Sequence, residues 1–301
     1  MVIGIDVGGT NMTGGLASED GRLSVKIRKP TDRSGGAAAG LKLICEIVTE
    51  LIEQASRSRS KVRRIGVGFG GPVDFEEGVV LLSHHVAGLE GMPLRHELKH
   101  QFRIPVVVDN DANAGTLGEW KFGAGLGFND LLYVNIGTGI GGGIVSGGRL
   151  LRGAQNLAGE IGHLIVVRGG PECTCGKRGC LESCASGDAI ARRGSEALGM
   201  PVSSREVFAL AVEGHEGARK VLCDVVEDLA HGIGTAVSLL NPAVVIIGGG
   251  LSEAPQNLLL GPLREAIPRY CLNDAARRLH VDAAQLRYDA GVMGAVALAL
   301  S

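Results

Sequence analysis

His163, Cys173, Cys175 and Cys180 gather one imidazole and three thiols within 18 residues of the segment GEIGHLIVVRGGPECTCGKRGCLE, at the spacing H-x9-C-x-C-x4-C. Four nitrogen and sulfur donors so close together suit tetrahedral Zn²⁺, and a shell filled by four protein ligands makes a structural ion with no open position for water. A redox-active thiol pair is the alternative chemistry for the same residues. Glu160 precedes His163 by three residues and Glu182 follows Cys180 by two. A metal-clipped loop can hold both acids against neighbouring hydroxyls, because carboxylates accept strong charge-assisted hydrogen bonds; without that clip each is a solvated surface acid. Cys184, four residues beyond Cys180, is the competing candidate ligand but is expected outside the shell, and Cys45, Cys223 and Cys271 fall in helical apolar patterns that predict burial.

A second constellation lies in VVVDNDANAG, where Asn110 and Asp111 stand at the junction of a strand and a helix. Phosphoryl transfer requires that a hydroxyl be oriented, its proton accepted late and the phosphate charge neutralised. A carboxylate of ordinary pKa, about 3.9, suffices as base because the hydroxyl need not ionise before a loose transition state forms. The same spacing also fits a plain helix cap by Asn110 or Asp111. Strand alternation turns Asp109 to the opposite face.

Two glycine-rich segments complete the set. DVGGTN (Asp6, Gly8, Gly9, Thr10, Asn11) follows the first apolar run, and GTGIGG, with Thr138 and Gly139, follows another. Glycines expose backbone N–H groups to phosphate oxygens and threonine adds a hydroxyl, while Asp6 at a strand end can hold Mg²⁺ directly or through water. Ordinary hairpins use the same residues. GVGFGG and GTGIGG both match G-x-G-x-x-G, but Pro72-Val73-Asp74 follows the first and a strand the second, so neither opens the helix a dinucleotide site needs. Gly176-Lys177 is followed by Arg178, which excludes a Walker A loop.

The elements that must position these groups alternate between strand and helix. Strand patterns cover Met1 to Asp6, Thr13 to Ala17, Arg22 to Arg28, Arg64 to Phe69 and Pro105 to Asp109, with an amphipathic helix over Gly36 to Ser56. A second strand–glycine loop–strand unit runs over Leu131 to Ile136, Gly143 to Val145 and Arg149 to Leu151, and hints at internal duplication. Ser203 and Glu206 form a capping box, His215 to Leu240 is a long helix stopped at Asn241-Pro242, and Ala243 to Ile247 is a buried strand. The apolar helix Ala290 to Leu300 is expected to pack back on the first lobe. This predicts an α/β protein with an N-terminal lobe over 1–110, completed by 289–301, and a C-terminal lobe over 111–288 that carries the zinc loop.

The 301 residues are 45 % hydrophobic with a formal net charge of −2, and the Arg57 to Arg64 patch reads as a solvated helix end, so no nucleic acid or membrane partner is expected. No apolar run approaches the roughly 18 residues that span a bilayer, and the first residues lack the pattern of a signal peptide, so a cytoplasmic location is expected.

These motifs resemble the ROK sugar kinases (repressor, open reading frame, kinase), within the actin/hexokinase/Hsp70 class. DVGGT looks like their first phosphate loop, GTGIGGGI like the second, and NDAN and the H-x9-C-x-C-x4-C loop match their sugar and zinc segments. The resemblance covers essentially the whole chain. It implies a two-lobed actin-like ATPase (ribonuclease H-like) fold with an interlobe cleft that closes on sugar. It implies that Asn110 binds sugar and Asp111 is the base, that Glu160, His163 and Glu182 contact the hexose, with His163 also ligating zinc, and that Gly71 in GGPVD offers its backbone on the sugar side. By the same resemblance VVIIGGGLSE supplies the adenosine-side loop with Gly248 and Gly249. The implied activity is phosphorylation of a hexose 6-hydroxyl by ATP, with Mg²⁺ and structural Zn²⁺, most simply of glucose, by a homodimer. N-acetylmannosamine kinase and fructokinase use the same motifs. A sugar-responsive transcriptional regulator would need a DNA-binding helix-turn-helix ahead of the first strand, a non-catalytic sensor would bind hexose without consuming ATP, and an actin-like scaffold would not need the zinc loop. Two departures stand out: Asn11 where many ROK kinases carry Lys, and His84, His85 and Val86 where the family's glucokinases commonly carry Asn-Leu.

Overall fold

The computed structural model describes residues 1–32, 34–83 and 88–301, so His84, His85 and Val86 lie outside the described residues. From the amino terminus run β1 (Val2–Val7), β2 (Asn11–Ala17), β3 (Leu23–Pro30), α1 (Gly36–Arg57), β4 (Arg64–Phe69), β5 (Val73–Asp74), β6 (Val79–Val80), α2 (Leu94–Phe102), β7 (Val106–Asn110) and α3 (Asp111–Phe122). Then follow β8 (Leu131–Ile136), β9 (Ile140–Ser146), β10 (Arg149–Leu151), α4 (Leu181–Ala185), α5 (Gly187–Leu198), α6 (Ser204–Val212) and α7 (Glu216–Leu240). The chain ends with β11 (Val244–Gly248), α8 (Leu260–Ala266), α9 (Asn273–Ala276), β12 (His280–Ala283) and α10 (Ala290–Ala299).

Two compact units divide the chain. Unit 1 comprises Met1–Gly127, Leu150–Ala158 and Tyr288–Ser301, and unit 2 comprises Phe128–Arg149 and Gly159–Arg287. In unit 1 the strand order is β3-β2-β1-β4-β7, with β1 antiparallel to β2 and parallel to β4, and β4 parallel to β7. The central strands read as nearly continuous apolar runs because both faces are covered. One face packs Ile3, Ile5, Ile65 and Val67 against Ile44, Ile47, Val48 and Leu51 of α1, whose apolar residues recur at helical spacing. β3, at the sheet edge, half-buries alternate residues and exposes the others to solvent.

The other face of unit 1 is held by α10, a helix buried from Val292 to Ala299. Its close approach depends on glycine: a side chain at Gly4 would meet the Val296 amide at 2.6 Å, and one at Gly294 would collide with the Ala114 carbonyl of α3. The expected boundary at residue 110 is therefore displaced. α3 packs tightly on α10 and belongs with unit 1, and Leu150–Ala158 returns to that unit as well, with Leu150 against Leu117 and Leu298.

Within unit 2 the strand order β9-β8-β11-β12 repeats the order β2-β1-β4-β7 of unit 1. Its core gathers Val134, Ile136, Val245 and Ile247 with Leu222, Val225, Leu229 and Ile233 of α7. That helix is capped by the His215 ring at Ala218 N and ends on Asn241 in the left-handed region (φ 46°), ahead of Pro242. The capping box of Ser203 and Glu206 is formed in both directions.

Candidate active site

In unit 1 the parallel registers align Asp6 with Gly68 and Asp109, and Val7 with Phe69 and Asn110. The carboxyl ends of β1, β4 and β7 thus emerge at one level, where open α/β sheets bind their ligands. From the end of β1 comes the loop Gly8–Gly9–Thr10. Its two ends are tied by Thr31, whose hydroxyl donates to Gly8 O (2.8 Å) and whose amide donates to Thr10 O (3.0 Å). A side chain at Gly8 would stand 2.8 Å from Asn11 O, so the turn admits only glycine there without a shift. Asn11 begins β2 opposite Pro30.

Asp6 is partly buried beneath this loop, against Gly291 of α10, where any side chain would strike its carboxylate. Burial first, and then the negative charge of Asp111, push the Asp6 pKa up to about 7, with Arg28 opposing. Two carboxylates that repel one another in a partly desolvated pocket form a donor set that a divalent cation relieves, so these residues fit Mg²⁺.

Asn110 and Asp111 satisfy both readings of their spacing. Asn110 is the N-cap of α3: its Oδ1 accepts from Ala112 N (2.8 Å) and Asn113 N (3.2 Å). Its Nδ2 donates to Gly71 O at 3.3 Å, which fastens the end of β7 to the GGPVD turn. Gly71 itself has φ 152°, a conformation that side chains rarely adopt. Asp111 opens α3 and accepts from Ala112 N at 2.8 Å. Asp109 does face away, but into the interior, at 1 % exposure. There it takes hydrogen bonds from Asn110 N, Asn113 Nδ2 and Arg152 Nε, a network whose partner stands 43 residues further along the chain.

Unit 2 brings its own glycine loops together, since Gly248 of β11 pairs with Asn135 of β8. Between β8 and β9, Gly137–Thr138–Gly139 turns tightly and Thr138 is exposed. The carbonyls of Gly137 and Thr138 accept from the Gly187 and Asp188 amides that open α5, at 2.8 and 3.4 Å. Glu182 Oε2 accepts from Ile140 N at 2.9 Å and packs on Gly139, so this acid braces the loop from the segment that carries the cysteines. Gly249 (φ 80°) closes on Asn135 and Ile136, and its carbonyl accepts from the Ser252 hydroxyl at 2.7 Å.

The glycines of β9 have a packing role that spacing alone did not reveal. A side chain at Gly142 would meet Gly159 O at 2.7 Å, and one at Gly162 would strike Ile140 O. Gly159 and Gly162, the neighbours of Glu160 and His163, are thereby pressed backbone to backbone against β9, the strand that leaves the Gly137–Gly139 loop.

The ligand atoms of His163, Cys173, Cys175 and Cys180 all lie within 4.8 Å of one another. His163 Nδ1 stands 3.7 Å from Cys173 Sγ, and Cys175 Sγ stands 3.7 Å from Cys180 Sγ. Sulfurs about 2.3 Å from a tetrahedral zinc are about 3.8 Å apart, so the cluster has the dimensions of a zinc shell. Ligation through Nδ1 leaves Nε2 turned toward Glu160 Oε2, 3.9 Å away. Burial and the neighbouring thiols push Cys180 up to about 12, while the Lys177 amide lowers Cys175, so a bound cation is what would hold Cys180 as thiolate near neutrality. Cys184 is buried outside this group, as expected. Of the remaining three cysteines only Cys45 is buried. Cys223 is exposed on α7 and Cys271 is half-buried, because helical periodicity marks an apolar face without showing where that face ends.

The ROK family model matches residues 2–301. A glucokinase of Thermotoga maritima is 36 % identical, over 99 % of this chain and 96 % of its own. A ROK hexokinase from Thermus thermophilus superposes with a TM-score of 0.89 at 35 % identity, covering 99 % of this chain and 97 % of that one. A ROK family glucokinase from Streptomyces griseus, solved with glucose and AMPPNP, gives 0.83 at 32 % identity over 99 % and 98 %. With duplicated α/β units of actin-like ATPase topology and a match that spans it from end to end, the chain belongs to the ROK family.

Proposed function

We propose that the protein is an ATP- and Mg²⁺-dependent hexose kinase that transfers the γ-phosphoryl group to the 6-hydroxyl of glucose. The observation that carries this reading is the level edge of unit 1, where the Gly8–Thr10 loop, Asp6 and the Asn110–Asp111 pair occupy neighbouring strand ends. A phosphate loop, a cation site and a candidate base there share one rigid sheet. Asp111 accepts the hydroxyl proton, a role worth typically about 10²–10⁴ in rate. Asn110, held by its cap and by Gly71, orients the sugar; Glu160, His163 and Glu182 accept from further hydroxyls. Gly8, Gly9, Thr10, Asn11, Thr138 and Gly139 bind phosphates, and Gly248 and Gly249 line the adenosine side. Asp6 would hold Mg²⁺, which supplies neutralisation of phosphate charge when bound. His163, Cys173, Cys175 and Cys180 would hold Zn²⁺, which fixes the sugar-binding loop.

The similarity to enzymes described as glucokinases supports glucose as acceptor. The proposal also makes the protein a cytoplasmic homodimer without nucleic acid or membrane partners; among the described residues no helix is long and apolar enough to cross a membrane. A coupled ADP-release assay over glucose, mannose, fructose, allose and N-acetylmannosamine tests the reading. Highest kcat/KM with glucose is the expected result. A preference for N-acetylmannosamine or fructose would reassign the acceptor, and ATP consumption independent of every sugar would remove the kinase.

A further inference from the structure

We infer that Arg152 is a positioning residue for phosphoryl transfer, acting through the buried Asp109 to hold Asn110 and Asp111 in register with the sugar-side turn. The inference rests on the reading of Asp111 as the base. Asp109 is the penultimate residue of β7, and its carboxylate is out of contact with water. One oxygen accepts from Asn110 N (2.8 Å) and Asn113 Nδ2 (2.9 Å), and the other accepts from Arg152 Nε (2.8 Å). A buried carboxylate is stable as an anion only with a counter-charge and filled hydrogen-bonding positions. Arg152 is the cation paired with it among the described residues.

The same guanidinium lies over the ring of Phe75, 3.5 Å from its centroid. Phe75 follows directly on β5, beside the GGPVD turn, and Arg95 grips the Phe75 and Glu76 carbonyls from α2. One planar cation therefore joins the strand end that carries the base to the hairpin on the sugar side: its Nε–H fixes Asp109 and its face fixes Phe75. A second tie, Asn110 Nδ2 to Gly71 O, runs parallel to it. Lysine supplies the charge but not the planar fork that bonds and stacks at once. Arg152 also belongs to the short segment Leu150–Ala158 that returns to unit 1, so the clasp fastens that segment as well. The clasp itself is made of Asp109, Asn110, Asn113, Arg152 and Phe75, so its inferred effect falls on the base and the sugar side, and nucleotide affinity is expected to be unchanged.

The test compares wild type, Asp111→Asn, Arg152→Met, Arg152→Lys and the double variant Asp109→Asn/Arg152→Met for melting temperature, kcat, glucose KM and ATP KM. Arg152→Met leaves Asp109 buried without its counter-charge and is expected to melt early; the double variant removes both charges and recovers most of the melting temperature. The account expects kcat of the double variant to stay down by up to about a hundredfold, with glucose KM raised and ATP KM unchanged, because misplacement of a base by an ångström is costly even in a stable fold. Arg152→Lys should fall between Met and wild type. A double variant that turns over at the wild-type rate, or loses ATP and glucose affinity alike, overturns the inference while leaving the kinase reading intact. Wild-type protein that phosphorylates no hexose, or full activity in Asp111→Asn, overturns the kinase reading and this inference with it.

Discussion

The two units place different chemistry on the same frame. β1 and β8 are both six residues long, each has a polar residue in the penultimate position, and each is followed by a three-residue glycine–threonine loop and a seven-residue antiparallel strand. The penultimate residue is Asp6 in unit 1 and Asn135 in unit 2. Asp6 lies close enough to Asp111 for their charges to repel; Asn135 packs quietly against Gly249. Unit 1 therefore concentrates negative charge at its strand ends, whereas the acids beside the corresponding loop of unit 2 come from the Cys/His segment, where Glu160 faces His163 and Glu182 props the loop at Ile140. A repeated sheet supplies position, and on the proposed reading a few side chains decide which copy would bind Mg²⁺.

The largest break in this comparison comes from making unit 1 like unit 2. Asp6→Asn should lower kcat by about a hundredfold or more, within the range typical for loss of a group acting on transition-state charge. A steady-state assay at saturating glucose with a Mg²⁺ titration checks it. Next in size is Cys175→Ser, which removes one proposed zinc ligand. Metal content should fall below one equivalent, the melting temperature should drop by roughly 5 °C or more, and glucose KM should rise about tenfold or more, because a structural zinc couples binding energy to folding. Zinc-free protein of unchanged stability would break the link between ion and loop.

Glu182→Gln separates the two roles proposed for the Cys/His segment, in sugar binding and in bracing the Gly137–Gly139 loop. Weakening a charge-assisted bond to a backbone amide is worth about 1.5–3 kcal/mol, so ATP KM should rise about tenfold even where glucose KM also moves. An effect on glucose alone would deny Glu182 a role in nucleotide binding through the Gly137–Gly139 loop.

The smallest effect concerns stability and pH. The folded state raises the Asp6 pKa from the ordinary 3.8 to about 7. A carboxyl of raised pKa contributes stability that is fully present below the unfolded pKa and is lost as pH rises through the folded one. In the absence of nucleotide and Mg²⁺, wild type should thus lose melting temperature between pH 4 and 8 relative to Asp6→Asn, with the variant the more stable of the two at pH 8. Parallel curves would show that Asp6 is not strained.

Much of this was legible in local sequence. The apolar runs of β1, β4 and β11 and the periodicities of α1 and α7 read directly, because burial imposes them on every turn. The capping box at Ser203 and the closing helix that packs on the first unit were equally plain. The gathering of His163 with Cys173, Cys175 and Cys180 was readable because the four side chains lie within one short segment. The contacts between distant parts of the chain were not readable: Arg152 reaches Asp109 across 43 residues and Glu182 reaches Ile140 across 42, and neither partner has a local pattern to announce it. The boundary at residue 110 failed for a related reason. A helix carries no mark of the unit it joins, and α3 joined unit 1 through the glycine contact with α10.

Single-turnover transfer from ATP to glucose, compared between wild type and Asp111→Asn with glucose binding measured by calorimetry on the same preparations, tests the central claim most directly. The account predicts glucose affinity within a few-fold of wild type and phosphoryl transfer slowed by about 10²–10⁴. Transfer at the wild-type rate by Asp111→Asn would contradict it.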